Sequence, residues 1–172
     1  MTGAMSVVQI TILGPASGAH FNLAVTFTNG LAREISAPLA LGYILSQICS
    51  DLTGTILAHL MIDLPLVQIA TTKRASVPLY CAGFIATAGL LSVILLGHPY
   101  GPSSLILLVG LDISASYWFT SSTSFAYPTV TLARMFTDSF SGISPSAVLF
   151  FIIVQLLAAW PTHKFSTWLT SS

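Results

Sequence analysis

Charged residues are scarce in this sequence. The 172 residues include 5 basic and 5 acidic side chains, together 6% of the chain, whereas a soluble globular domain carries roughly 25% charged residues. So few charges cannot cover a water-facing surface, and 54% of the residues are hydrophobic. The composition therefore predicts a protein surrounded by a lipid bilayer. A soluble or secreted binding protein is the competing hypothesis, and membrane fractionation distinguishes the two.

A surplus of positive charge is also lacking. The formal net charge is zero, and only 5 lysine and arginine residues are present. Neutralising a row of phosphates requires a basic patch. Nucleic acids are therefore excluded as partners.

Groups that bind metals or perform catalysis are few and scattered. Cys49 and Cys81 lie in apolar runs, and neither His20 nor His59 has a partner at metal-site spacing. The serine-rich run 121–124 has no identifiable histidine and carboxylate partners, so turn formation explains it better than nucleophilic catalysis. We expect no metal, no cofactor and no enzymatic activity.

Two similar polar turns interrupt the apolar sequence. The first, residues 17–26, reads SGAHFNLAVT, and the second, residues 122–131, reads STSFAYPTVT, with Tyr127 standing 105 positions after Asn22. Each turn follows an apolar run and leads into a short helix. Bare backbone is tolerated at mid-membrane only where it lines a cavity. The pattern predicts two half-helices that start near the centre of a pore.

The order of the elements divides the chain into two halves. The predicted helices cover residues 1–14, 22–32, 39–62, 77–96, 103–120, 128–136 and 146–160. We place the first half at 1–62, a linker at 63–76, a second and inverted half at 77–160, and a C-terminal tail at 161–172. The first half has one span fewer than the second, so the first transmembrane helix is expected to be missing.

The first turn resembles the first signature loop of the aquaporin, or major intrinsic protein, family, in which Asn-Pro-Ala heads a half-helix. The stretch from Tyr117 to Arg134 resembles the matching second loop of bacterial members, and the region of Gln47 resembles the third helix of the family. This similarity covers nearly the whole chain. The sequence is thus similar to a bacterial aquaporin that is truncated at its N-terminus.

The resemblance implies both a fold and a function. The family fold is an all-α integral membrane bundle with two re-entrant half-helices, usually assembled as a homotetramer with one pore in each subunit. Family members pass water, glycerol or other small neutral solutes in single file. The expected location is the plasma or inner membrane of the cell, which the chain crosses several times.

Both signature motifs depart from the family pattern. Asn22-Leu23-Ala24 keeps the amide donor but lacks the proline, which favours the first position of a helix. Tyr127-Pro128-Thr129 replaces the second asparagine by a phenol, which still donates a hydrogen bond but occupies far more volume. These six residues are the predicted pore motif. His20 is predicted to lie next to the lumen.

The positions that match the family's selectivity filter are Thr2, Ala115, Ser124 and Val130. All four are small or uncharged, which predicts a wide constriction. The family often has arginine at the position of Val130, whereas Arg134 lies one helical turn further on, so the resemblance does not assign the filter role to Arg134.

A non-conducting, degenerate family member is the alternative hypothesis. The missing span, the bulk of Tyr127, and Asp51 and Asp112 within predicted spans favour it, because a carboxylate near the bilayer centre costs about 2.5–3.5 kcal/mol unless it is paired or hydrated. An in-frame apolar segment of about 20 residues upstream of Met1 would supply the absent span.

Overall fold

Residues 1–171 are described by a computed structural model and fold into eight α-helices, with no β-strand among them. The helices are α1 Thr2–Ser17, α2 Leu23–Leu31, α3 Ala37–Met61, α4 Val77–Gly97, α5 Pro102–Phe119, α6 Pro128–Ala133, α7 Pro145–Leu157 and α8 Ala159–Thr170. Short 3₁₀ turns follow α4 and α6. The prediction of an all-α fold is confirmed.

Three helical segments are long and apolar enough to cross a membrane. They are Val77–Tyr100, Pro102–Phe119 and Pro145–Thr170. Helix α3, with 25 residues, also has the length of a span, but polar residues such as Gln47 and Asp51 lower its hydropathy. Polar groups inside a membrane protein normally face other helices or a water-filled space. The buried side of α3 is therefore where a functional site is expected.

The two short helices lie against the longer ones. Helix α2 has 9 residues and α6 has 6. Helix α6 contacts α3 and α7, and α2 contacts α3 and α8. Both short helices therefore pack against α3, and they also contact each other, which brings the two polar turns into the same part of the bundle.

Two helix ends differ from the sequence prediction. Helix α1 does not stop at Gly14-Pro15 but continues through Pro15 to Ser17 and ends at Gly18 with a left-handed backbone. At the other end, the chain does not leave the last span near Trp160, since α8 continues to Thr170 and packs against α4. Contacts with other helices accompany both extensions, since the Tyr43 hydroxyl group on α3 donates a hydrogen bond to the Ser17 carbonyl oxygen at 2.8 Å and α8 lies against α4.

The predicted linker, residues 63–76 between α3 and α4, is fixed to the segment that follows α6. The backbone amide and hydroxyl groups of Thr71 donate hydrogen bonds to Asp138 Oδ1 at 2.8 and 3.0 Å. Gln68 Oε1 accepts one from the Asp138 amide at 3.2 Å. These bonds hold the linker across the end of α6, so that segment has a defined position at one end of the bundle.

Helices α1 and α5 approach each other closely at two glycines, Gly3 and Gly110. A Cβ atom on Gly110 would lie 2.3 Å from Val7 Cγ2 and 2.9 Å from the Gly3 carbonyl oxygen, and one on Gly3 would lie 2.2 Å from the Gly110 carbonyl oxygen. Small residues allow helix backbones to approach in this way. The contact fixes the position of α1 against α5.

We predict that Gly110→Ala destabilises the protein by about 1–3 kcal/mol, because the added methyl group overpacks the contact between α1 and α5. Gly42→Ala is the matched control, since nothing lies within 4 Å of a Cβ atom at Gly42. Thermal unfolding in detergent measures both variants. Equal stability of the two variants would contradict the proposed close packing.

Candidate pore between the half-helices

The two polar turns have the same backbone conformation. Each contains two consecutive residues with positive φ, namely Gly18 at 65° and Ala19 at 55° in the first turn, and Thr123 at 55° and Ser124 at 60° in the second. Three of the four are not glycine, and a non-glycine residue in this region is uncommon. The two turns therefore carry the same pair of left-handed residues, 105 positions apart.

Gln47 on α3 fixes the first turn. Its Nε2 atom donates a hydrogen bond to the carbonyl oxygen of His20 and another, at 3.0 Å, to Thr26 Oγ1. The side chain is buried. A carbonyl group in a turn has no helical partner, so the glutamine amide replaces the water that a membrane interior lacks.

Gln155 on α7 makes the equivalent contacts with the second turn. Its Nε2 atom donates to the carbonyl oxygen of Phe125 at 2.8 Å and to Thr131 Oγ1 at 3.0 Å. Phe125 and Thr131 stand 105 positions after the residues that Gln47 contacts. Gln155 is not among the predicted site residues, although a lone glutamine in the last apolar span is a signal that points to it.

Asn22 connects the two turns directly. Its Oδ1 atom accepts a hydrogen bond from the Ala24 amide at 2.8 Å, which caps α2. Its Nδ2 atom donates to the carbonyl oxygen of Ala126 at 2.9 Å, immediately before the start of α6. Tyr127 forms no corresponding side-chain cap on α6. The Asn22 side chain therefore links the starts of the two half-helices.

A cavity of about 810 Å³ runs along α1 and α5, past the starts of both half-helices. Thr2, Tyr117 and Arg134 lie at one end of it, and His98 and Pro102 lie at the other. The walls between the two ends include Ser6, Gln9, Ile10, His20, Asn22, Val25, Leu90, Ile94, Leu105, Val109, Ile113, Ser124, Tyr127 and Val130. This cavity is the candidate pore.

The structure brings part of the predicted site to the cavity. The predicted residues that line it are Thr2, His20, Asn22, Ser124, Tyr127 and Val130. The other motif residues, Leu23, Ala24, Pro128 and Thr129, lie within the first turns of α2 and α6 and are not part of the wall. Ala24 and Thr129 are buried on the side of the half-helices that faces away from the cavity.

Ala115 is a correction to the predicted filter. It is exposed on α5 and does not line the cavity, whereas Ile113 and Tyr117 on the same helix do. A residue two positions away is rotated by about 200° around an α-helix, so Ala115 lies on the opposite face. Tyr117 takes its place in the wall, with its hydroxyl oxygen 3.4 Å from Thr2 Oγ1.

His20 belongs to a polar group on one side of the cavity. Its Nδ1 atom lies 3.3 Å from Thr26 Oγ1, and its Nε2 atom lies 3.4 Å from Asn29 Nδ2. The imidazole ring stacks on the Tyr43 ring with 4.6 Å between their centroids. These contacts fix the ring orientation, so His20 presents a defined edge to the cavity.

Tyr127 lies where the cavity passes the start of α6. Its side chain packs against a cluster of buried residues that includes Ala86, Leu90, Val109 and Ile113 from α4 and α5. The ring is therefore placed against one wall, although it still borders the cavity.

These features define a class of protein, namely a helical membrane protein in which two half-helices begin beside a lumen. The sequence matches the Major intrinsic protein family over residues 1–99. It is 43% identical over 168 residues to the Aquaglyceroporin AqpS of Rhizobium meliloti (strain 1021). The matched region covers 98% of this chain and 72% of that protein. The chain belongs to the major intrinsic protein family.

A second relative matches over a shorter region. The Lens fiber major intrinsic protein of Gallus gallus is 40% identical over 52 residues, which is 30% of this chain and 20% of that protein. Together with the family match, these similarities confirm the predicted family, its aquaporin-like fold and the role of a multi-pass membrane channel protein. The family is one of channels, not of enzymes.

We predict that Gln155→Met lowers the free energy of unfolding by about 1–3 kcal/mol, because the Phe125 carbonyl group is left buried without a donor. Gln9→Met is the matched control, since the Gln9 side chain is exposed and has no hydrogen-bond partner within residues 1–171. Thermal unfolding in detergent measures the difference. The role given to Gln155 is wrong if both variants are equally stable.

Proposed function

We propose that this chain conducts water and small neutral solutes such as glycerol across a cell membrane by passive transport. The observation that supports the proposal is the cavity of about 810 Å³, which extends along the bundle and is bordered by the starts of both half-helices. Likeness to a protein named as an aquaglyceroporin adds support for glycerol. The expected location is the plasma or inner membrane.

The chemistry of the walls fits a small polyol. Thr2, Ser6 and Gln9 on α1 place hydroxyl and amide groups along one side of the cavity. Leu105, Val109 and Ile113 on α5 give the other side an apolar surface. Glycerol carries hydroxyl groups on one side of a hydrocarbon chain, so a lumen with one polar and one apolar side can replace its hydration shell.

Each predicted pore residue has a proposed role. Asn22 offers its amide group at the centre of the lumen, while Tyr127 narrows the passage there. Leu23, Ala24, Pro128 and Thr129 set the positions of the half-helix starts, whose positive dipole ends disfavour cations. Thr2, Ser124 and Val130 leave the end near Tyr117 wide enough for a solute larger than water.

The proposed arrangement contains two inverted halves, residues 1–62 and 77–160, joined by the linker 63–76. The equivalent contacts of Gln47 and Gln155 with their turns support this repeat. We further propose a homotetramer in the bilayer. Large apolar side chains that are exposed on the outside of the bundle, such as Leu111 at 65% and Trp118 at 91%, would contact lipid or a neighbouring subunit.

A non-conducting family member is the second candidate function. Two observations favour it, namely the ring of Tyr127 beside Asn22 and the carboxylate of Asp112. The Asp112 side chain makes no hydrogen bond within the described part of the chain, and its Oδ1 atom would lie 3.6 Å from a Cβ atom on Gly89. An uncompensated carboxylate in a span would destabilise the bundle.

We predict that proteoliposomes containing the chain take up glycerol faster than empty vesicles in a stopped-flow assay. Asn22→Leu should reduce the flux about tenfold, because a solute passing the half-helix starts loses a hydrogen-bonding amide group, and a tenfold change in rate corresponds to roughly 1.4 kcal/mol in the barrier. Leu31→Ala is the control on the same helix, since Leu31 is exposed and does not line the cavity. Wild-type flux at the level of empty vesicles would reject conduction.

We predict that Tyr127→Asn increases glycerol flux, because the smaller side chain widens the lumen beside Asn22. Tyr100→Asn is the control, since Tyr100 is 72% exposed and outside the cavity, and it should leave the flux unchanged. If wild-type protein does not conduct but Tyr127→Asn does, the alternative of a degenerate, closed channel is correct.

A further inference from the structure

The linker between α3 and α4 exposes apolar side chains at one end of the bundle. Residues 64–72 read LPLVQIATT and contain no charged residue. Leu66, Val67 and Ile69 within this stretch are exposed, Val67 to 68%. Neighbouring apolar side chains that are exposed together mark a surface that contacts another protein or a membrane. We call these three residues the linker face.

The backbone around the linker face is hydrogen-bonded within the protein. The amides of Gln68 and Ala70 donate to carbonyl oxygens of the 3₁₀ turn after α6, at 3.4 and 2.9 Å. The Leu66 carbonyl oxygen lies 3.0 Å from Nδ1 of His59, which is buried near the end of α3. Where water is scarce, backbone groups must find such partners in the protein itself.

The polar side chains of the linker are also bonded within the protein. Gln68 Nε2 donates to the Pro65 carbonyl oxygen at 3.1 Å, and Gln68 Oε1 accepts from the Asp138 amide at 3.2 Å. The Thr71 hydroxyl group donates to Asp138 Oδ1 at 3.0 Å. The linker therefore pairs its polar groups internally while it presents apolar side chains to its surroundings.

The linker begins where a helix of membrane-spanning length ends. Helix α3 has 25 residues, or about 37 Å at 1.5 Å per residue, slightly more than the roughly 30 Å of the hydrocarbon core. Its last turns expose Leu57, Leu60 and Met61, and Ile62 continues this exposed apolar side into the linker. The outward surface of α3 is thus continuous with the linker face at the boundary of the hydrocarbon core.

Charged residues flank the linker face on both sides. Asp63 precedes it and Lys73 follows it, and both side chains are exposed. Segments that lie in the plane of a membrane surface combine apolar side chains, which enter the acyl region, with charged ones, which remain at the headgroups. The linker has this pattern, since an uncharged apolar stretch lies between two charged residues.

We propose that the linker face lies in the boundary between headgroups and acyl chains of one leaflet, so that lipid covers Leu66, Val67 and Ile69. Lipid is favoured over a second copy of the chain because the face continues the outward surface of α3. A protein partner would also form hydrogen bonds at its interface, whereas the linker groups described above are already paired.

This membrane contact bears on one end of the candidate pore. The linker is bonded to the 3₁₀ turn that carries Arg134, and Arg134 lines the cavity. A linker fixed to lipid therefore holds that end of the cavity at the membrane surface. The inference concerns where the linker lies and does not require conduction, so it can be tested apart from the proposed function.

The test places an environment-sensitive NBD label on single cysteines of the full chain in proteoliposomes. Cys49 and Cys81 are exposed and are first replaced by serine. Phospholipids with a doxyl group near the headgroup end of the acyl chain should quench the label on Val67→Cys about twofold or more, because interfacial segments lie about 5–10 Å into this boundary. Aqueous iodide should quench it only weakly.

Lys73→Cys is the matched control, since Lys73 is exposed on the same linker but lies beyond the linker face. Its label should be quenched strongly by iodide and weakly by the doxyl lipid. Ile69→Cys is the second test position and should behave like Val67→Cys. It decides the question if Val67→Cys does not fold.

Two results would overturn the lipid contact. Equal iodide quenching at Val67, Ile69 and Lys73 would mean that the linker faces water. Protection of Val67 and Ile69 from both quenchers would mean that protein covers the face, and a bifunctional thiol reagent that joins two Val67→Cys chains would identify that protein as a second copy.

Glycerol flux of the cysteine-free chain in the same vesicles reports on the proposed function separately. If the label on Val67→Cys is quenched by the doxyl lipid but the chain conducts no glycerol, the lipid contact is supported and conduction is rejected. If the chain conducts glycerol and iodide quenches all three positions equally, conduction stands and the lipid contact is wrong.

Discussion

Backbone carbonyl groups inside a membrane must find donors within the protein, and this constraint governs the centre of the bundle. Gln47 and Gln155 supply the donors for the two turns, each with one amide group that reaches a carbonyl oxygen and a threonine hydroxyl. Without them, the turns would expose unpaired groups where no lipid can bind them. The half-helices, and the lumen beside them, depend on these four bonds.

The two turns share a pair of left-handed residues but differ in the chemistry that they present to the lumen. Asn22 caps its own helix and reaches across to Ala126, while Tyr127 at the equivalent position packs against α4 and α5. The hydrogen bonds from Gln47 and Gln155 fix the backbone of the two turns. The residues that meet the solute can therefore differ between the turns while the backbone stays the same. Divergence at Tyr127 thus changes the passage more than the fold.

The two arginines near the second turn also differ in their surroundings, since one holds a loop and the other borders the lumen. Arg74 donates hydrogen bonds to the carbonyl groups of Phe140 and Gly142, so it fixes the loop before α7. Both arginines lie over the Phe125 ring. Unlike Arg74, Arg134 also borders the cavity. Similar side chains on one ring therefore have different surroundings, and only the geometry separates a structural arginine from one that a solute would meet.

By itself, the sequence determined that the chain is helical and membrane-embedded, and it located both turns with Asn22 and Tyr127, because composition and a repeated local pattern are enough for this. The tertiary structure decided which helix faces border the cavity: Tyr117 instead of Ala115, Arg134 in addition to Val130, and Gln155 as the counterpart of Gln47. It also extended α1 through Pro15. These features depend on helix rotation and on contacts between residues far apart in the chain, and a local pattern contains neither.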